Sequence, residues 1–278
     1  MTIGVFLALL GAALLHAGWN ALVKIGLDRF SAILLLALVQ GAIALLLLPF
    51  FGPPQAGSWP WVAGSAALHS GYKIFLIRAY GHGDLSQVYP LARGTAPLIV
   101  AIAGALFLGE TVVPLRIAAI LAIGGGIMMM AGGREGERLS RPALLWALGT
   151  AGFTAAYTLA DGVGARIAGT ASAFTLAMFV LDGLIMLGFG LVARGGAAVA
   201  ALAPAWRSGL AAGAMSLGSY WIAIWAFTMA PLAMVAALRE TSVLFAMLIA
   251  FFLLGERVAP RRWAAAALIL AGIVLMRV

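Results

Sequence analysis

Polar and ionisable residues are scarce in this chain, and those inside its apolar runs fall at helical spacing. In the first run His16, Trp19, Asn20 and Lys24 follow an i, i+3, i+4, i+8 pattern and share one stripe of a helix. The third run places His69, Tyr72, Lys73 and Tyr80 on one stripe in the same way. Ser86, Tyr89 and Arg93 line up in the fourth, Thr154, Tyr157 and Asp161 in the sixth, and Thr175, Met178 and Asp182 in the seventh. Trp221, Trp225 and Thr228 share a face of the eighth. In the ninth, Arg239 and Glu240 are adjacent and so point about 100° apart, each needing a partner on another helix. The chemistry implied is recognition of a small polar molecule, and the sequence has no HExxH, no GxSxG and no GxxxxGK[ST] segment to suggest catalysis or ATP hydrolysis. With no cysteine and three scattered histidines, neither a metal site nor a disulfide framework is expected, and no cofactor.

The elements that must position these stripes follow from composition. Hydrophobic residues make up 64% of the chain and charged ones 9%, and the mean hydropathy is +1.10. These values lie far outside the range of soluble domains. The apolar runs are mostly about 20 residues long, enough for an α-helix to cross about 30 Å of hydrocarbon, and the alternating pattern of a β-barrel is absent. An all-α membrane protein with ten transmembrane helices is therefore expected, with spans at 2–23, 31–51, 59–80, 85–108, 114–131, 142–163, 171–193, 207–229, 232–254 and 261–276. The first of these lacks the basic region and cleavage site of a signal peptide. The net charge of +8 does not point to nucleic acid, because the basic residues sit at helix ends.

An ionisable group near the bilayer centre costs about 2.5–3.5 kcal/mol on insertion scales, so each is expected to face a cavity or a partner. His69 and Lys73, one turn apart, are costly together unless a carboxylate or an anionic substrate lies near. Less specific roles stand beside the others: Lys24 and Arg78 reaching to the interface, Trp59 and Trp61 as interfacial anchors, Glu110 and Glu256 structural near the headgroups. The glycines at 124–126, 162 and 164 suit close helix packing. Pro90 and Pro97 each remove a helical hydrogen bond, making the fourth span the one expected to bend.

The chain also repeats itself. About 146 positions after Arg93, Thr95, Leu98, Leu108-Gly109-Glu110, Val112, Pro114 and Arg116 come Arg239, Thr241, Leu244, Leu254-Gly255-Glu256, Val258, Pro260 and Arg262. The charged break at 132–141 then separates two five-helix repeats, 1–131 and 142–278. At a shift of about 141, Asn20 meets Asp161 and Ser31 meets Ser172. Five is odd, so the second repeat must enter the membrane from the opposite side, giving inverted repeats with a substrate site near mid-membrane between them. Arg93 and Arg239 recur within the repeated unit, which also fits a structural role of tying helices through carboxylates or carbonyls. Eleven basic residues fall in the breaks after odd-numbered spans and three on the other side, so the positive-inside rule places both termini outside.

Ten spans in two inverted fives, with an LGE closing the fourth and ninth and a proline four residues on, resemble the EamA family of the drug/metabolite transporter superfamily. Topology models of that family often place both termini in the cytoplasm, against the charge count. The resemblance implies a secondary transporter in the bacterial inner membrane that exports small metabolites, amino acids above all, by alternating access. An aromatic or bulky apolar amino acid is the first expectation, in the manner of the superfamily's aromatic amino-acid exporters. On that reading His69 and Lys73 hold a carboxylate and Asp161 or Asp182 an ammonium, while Trp19, Tyr72, Tyr89, Tyr157, Trp221 and Trp225 wall the side chain. His16, Asn20, Arg93, Arg239 and Glu240 complete the expected cavity. Protons are candidate coupling ions through Asp161, Asp182 or Glu240. The expected partners are a small-molecule substrate and the lipid bilayer around a monomer. The alternative is a multidrug pump for lipophilic cations, against which Lys73, Arg93 and Arg239 weigh.

Overall fold

The computed structural model describes residues 1–23, 27–82, 85–109, 113–130, 140–252 and 258–276. Lys24, Glu110, Glu256 and most of the charged break lie outside them, as do the side chains of Tyr80, Ser86 and Tyr89. Some helices begin where a side chain satisfies their first free N–H groups. Asp28 accepts from the Phe30 and Ser31 amides at 3.1 and 3.4 Å ahead of α2 (Arg29–Phe51). Ser140 does so for α6 (Arg141–Ile167) and Thr170 for α7 (Ala171–Arg194). Gly52 (φ 72°) ends α2 and Gly195 (φ 61°) ends α7, each in the left-handed region open to glycine.

The remaining helices are α1 (Ile3–Val23), α3 (Trp59–His82), α4 (Leu85–Phe107), α5 (Pro114–Met130), the short α8 (Ala197–Ala200), α9 (Trp206–Phe227), α10 (Leu232–Arg239), α11 (Ser242–Phe252) and α12 (Pro260–Leu275). No strand occurs among the described residues. Among the described residues seven stretches are long and apolar enough to cross a membrane: Ile3–Leu22, Arg29–Phe51, Pro90–Phe107, Arg141–Ile167, Ala171–Arg194, Ala197–Phe227 and Leu232–Phe252. The α3 helix has the length but carries the His69–Lys73 stripe, and α5, at 17 residues, is apolar but shorter.

The expected ninth span at 232–254 is two helices. At Glu240 and Thr241 the amides donate to the carbonyls three residues back, Ala237 and Leu238, both at 3.1 Å, so the chain tightens and breaks register between α10 and α11. Its counterpart α4, with Pro90 and Pro97 inside it, is assigned as one continuous helix.

Polarity runs inside out. Phe50, Phe107 and Val192 are at least 80% exposed while Asp161 and Asp182 are fully buried, the arrangement that a hydrocarbon surround favours. Packing comes in exchanged pairs: α3 lies on α6 and α1 on α9, α4 lies on α6 and α11 on α1, and α3 lies on α7 and α2 on α9. Two further contacts, α2 with α7 and α5 with α12, are reciprocal within themselves. A Cβ on Gly126 would lie 2.5 Å from Ile269 Cγ1 and 2.9 Å from the Ala265 carbonyl oxygen. One on Gly272 would lie 2.7 Å from Ile123 Cγ1 and 2.8 Å from the Ala119 carbonyl oxygen, the same contacts in the repeat register. These cross-contacts require α5 and α12 to run antiparallel.

The α2–α7 pair is antiparallel too. Gly41 meets Gly183 backbone to backbone, and Asp28 at the start of α2 meets Arg194 at the end of α7 through two hydrogen bonds of 3.1 Å. The other singled-out glycines also serve packing: Gly124 lies against Gly94, Gly162 against Leu232, and Gly164 against Phe174 and Trp61.

Candidate functional site

Between these helices lies a chamber of about 90 Å³. Its wall is His16 and Trp19 from α1, Ile33, Leu36 and Gln40 from α2, and His69, Tyr72, Lys73 and Leu76 from α3. Arg93 of α4, Tyr157 of α6, Phe179 of α7, Ser216, Ser219 and Tyr220 of α9, and Arg239 of α10 close it. Three buried carboxylates stand behind the wall, each engaged. Asp161 accepts from the Ser65 and Tyr220 hydroxyls and lies 3.1 Å from His69 Nε2. Asp182 accepts from Ser70 Oγ at 2.8 Å and from the Lys73 ammonium. Glu240 Oε2 lies 2.6 Å from Arg93 Nε, while Arg93 also donates to Ser242 Oγ at 3.5 Å.

This changes the expected division of labour. His69 and Lys73 do not present a joint positive face to a ligand, because each already meets its own aspartate. The carboxylates follow from helix geometry: Ser65, His69, Ser70 and Lys73 lie on neighbouring faces of α3, between α6, which brings Asp161, and α7, which brings Asp182. Breaking a buried pair by removing one partner costs about 3–5 kcal/mol, since the other is left desolvated and unpaired. These pairs therefore fix the relative placement of α3, α4, α6, α7 and α10.

The aromatic wall is built on the same residues. The His69 ring stacks on Tyr157 at 4.0 Å between centroids and 19° between planes. It meets Tyr220 edge-on at 4.9 Å, and Tyr72 meets Tyr157 edge-on at 5.7 Å. Trp19 Nε1 donates to His16 Nδ1 at 3.3 Å, so that imidazole carries its proton on Nε2.

Other expected residues lie off the chamber. Asn20 donates to the His16 carbonyl of its own helix at 2.8 Å. Trp221 donates to Ser172 Oγ at 3.0 Å and packs edge-on against Phe51, and Trp225, half-buried, does not line the cavity. The face of α9 turned inward is Ser216, Ser219 and Tyr220, one residue out of phase with the tryptophans. Sequence reasoning followed the larger rings and missed a polar i, i+3, i+4 stripe that was available. It also missed Gln40, an isolated amide midway along α2 that donates to Ser216 Oγ at 3.0 Å and is 3% exposed.

Compared with protein families, residues 2–132 and again 141–278 match the EamA-like transporter family. The chain belongs to that family. The family makes this EamA-like chain a multi-pass membrane transporter of small molecules, and its members are transporters and not enzymes. A crystal structure described only as that of a protein has the same fold, with a TM-score of 0.78 and 18% identity over 99% of this chain and 97% of that one. No curated protein matches the EamA-like chain in sequence.

Proposed function

We propose that this EamA-like protein is a secondary exporter of small metabolites, amino acids with aromatic or bulky apolar side chains foremost, in the bacterial inner membrane. It works by alternating access between two inverted five-helix repeats, 1–131 and 142–278, that together cross the membrane ten times. The observation that carries this reading is the chamber: charged and aromatic side chains drawn from both halves and enclosed in an apolar shell. The antiparallel crossings of α2 with α7 and of α5 with α12 are what inverted repeats demand of twin helices. Tyr72, Tyr157, Phe179 and Tyr220 supply a wall for an apolar side chain.

At about 90 Å³ the chamber has room for a few waters, well below the 300–1,000 Å³ usual for ligand pockets. Substrate entry then requires it to widen. It extends toward the end of the bundle where α2 begins, at Ala32 and Ile33. The opposite end is tied shut by Arg166, which donates to the Phe227 carbonyl at 3.0 Å and the Ala230 carbonyl at 3.4 Å. The Gln55 amide adds a bond to the Ala168 carbonyl at 3.1 Å. By the positive-inside rule this closed end faces outward. Among the described residues Asp161 is the one buried acid that lies beside an imidazole, which makes the Asp161–His69 pair the proton-coupling candidate.

The test is flux of radiolabelled phenylalanine, leucine and tryptophan from liposomes containing the purified protein. Saturable efflux above protein-free liposomes supports the reading. Absence of efflux for all three, with or without an imposed pH gradient, would refute the amino-acid assignment.

A further inference from the structure

The buried charges match in number, Lys73, Arg93 and Arg239 against Asp161, Asp182 and Glu240, but they do not all meet in pairs. Lys73 meets Asp182, Arg93 meets Glu240, and Asp161 meets Ser65, His69 and Tyr220. Arg239 is different. It lies on the wall, 8% exposed, with its guanidinium carbon 4.5 Å above the Tyr220 ring. Among the described residues no carboxylate lies within 4.0 Å of its nitrogens. The ring face steadies the cation without using its planar fork of N–H donors, for which no hydrogen-bond acceptor is found among the described residues, and a carboxylate fits that fork with two parallel bonds.

The uneven pairing is written into the repeat. Arg93 is followed by Gly94, and its twin Arg239 by Glu240. The one acid of the two twin positions is spent on Arg93. A side chain at position 94 would be crowded, because a Cβ there would lie 3.1 Å from the Gly124 carbonyl oxygen and 3.2 Å from Met128 Cγ. On the same wall Gln40, buried and bonded through Nε2 to Ser216, keeps Oε1 without a partner among the described residues, an acceptor for an N–H of the same ligand.

We propose that Arg239 anchors a carboxylate of the transported molecule, so that the chamber takes organic acids and zwitterions and rejects lipophilic cations. The inference rests on the chamber being the transport site, as the proposed function has it, but not on the cargo being an amino acid.

The experiment is thermal unfolding of the detergent-purified protein with four probes: L-phenylalanine, phenylpyruvate, lactate and L-phenylalaninamide, the last being phenylalanine with its carboxylate masked. A ligand that binds the folded form raises the melting temperature in a concentration-dependent way. The expected result is stabilisation by at least one carboxylate, with half-saturation at least tenfold lower than for the amide. Arg239→Gln abolishes that difference, and Arg239→Lys, which keeps the charge without the fork, recovers part of it. Should Arg239→Gln not elute as a single species, Arg239→Lys carries the test, expected to bind the carboxylate at least threefold more weakly with the amide unchanged.

Equal stabilisation by acid and amide, unaltered carboxylate binding in both variants, or no stabilisation by any of the three carboxylates overturns the inference. Phenylpyruvate or lactate binding through Arg239, with no amino-acid flux from liposomes, upholds the anchor while removing the amino-acid assignment. Amino-acid flux that is unchanged in Arg239→Gln does the reverse.

Discussion

The α4 helix and the α10–α11 segment are twins in sequence and differ where it matters. The first carries Pro90 and Pro97 and is continuous, while the second has Ala236 and Val243 at those positions and breaks at Glu240 and Thr241. The first follows its arginine with a glycine packed on Gly124, the second with a glutamate that reaches back to Arg93. Loss of a hydrogen bond to proline is evidently not what decides the break. Glu240 meets Arg93 of α4 at this break, and the tightened turn is bonded at the amides of both Glu240 and Thr241. The lesson is that a buried ion pair between twin helices can set backbone geometry where local propensity does not.

The strongest way to break this comparison is to remove the acid. Glu240→Ala leaves Arg93 buried without its carboxylate and is expected to cost about 3–5 kcal/mol, read as a lowered melting temperature in detergent. The double variant Arg93→Gln/Glu240→Gln is expected to lose less than the sum of the single ones, and a double-mutant cycle measures the coupling.

Prolines sharpen the point about the break. Ala236→Pro puts proline in the interior of α10 and is expected to cost about 3 kcal/mol. Val243→Pro sits in the first turn of α11, where it removes one turn bond, from the Val243 amide to the Glu240 carbonyl, and is expected to cost about 1 kcal/mol. Equal costs at the two sites would place the break elsewhere.

A comparison of the two ends of the bundle gives the next effects. The chain has no cysteine, so a single Ser219→Cys reports access to the chamber without background. Arg166→Gln, which unties the closed end, is expected to raise its labelling by an impermeant maleimide several-fold from the face bearing residues 52–58. At the other end, the Arg194 guanidinium beside Asp28 holds its carboxyl at about 2, below the usual 3.8. A lowered carboxyl pKa stabilises the fold above about pH 4 and ceases to do so as pH falls toward 2. The pair is half exposed, so Arg194→Gln is expected to cost at most about 1 kcal/mol above pH 4 and to flatten the acid limb of a melting-temperature profile.

The helices were legible in the sequence because hydrocarbon enforces long apolar runs, and the repeat because arginine, proline and Gly-Glu are rare enough there to mark a register. His16, Trp19, His69, Tyr72, Lys73, Arg93, Tyr157 and Arg239 were legible as chamber residues for the same reason: polar stripes in apolar helices have few other places to face. What a single sequence does not contain is which stripe meets which. That Asp161 falls to His69 and Asp182 to Lys73 depends on how α6 and α7 lie across α3. The phase of α9 was not legible because its tryptophans, Trp221 and Trp225, and its polar stripe, Ser216, Ser219 and Tyr220, lie one residue apart and either could face inward. The break in α10–α11 left no local mark, having neither glycine nor proline at its turn.

The reciprocal seam of Gly126 and Gly272 has one more consequence on the inverted reading. A pivot whose two sides are interchangeable lets the halves swap conformations, so the inward and outward forms of a perfectly duplicated chain would be equal in free energy. On the proposed alternating-access cycle, a resting bias would then reside in departures from perfect duplication, and a glycine at 94 set against a glutamate at 240 would act as a thermostat on which way the gate faces.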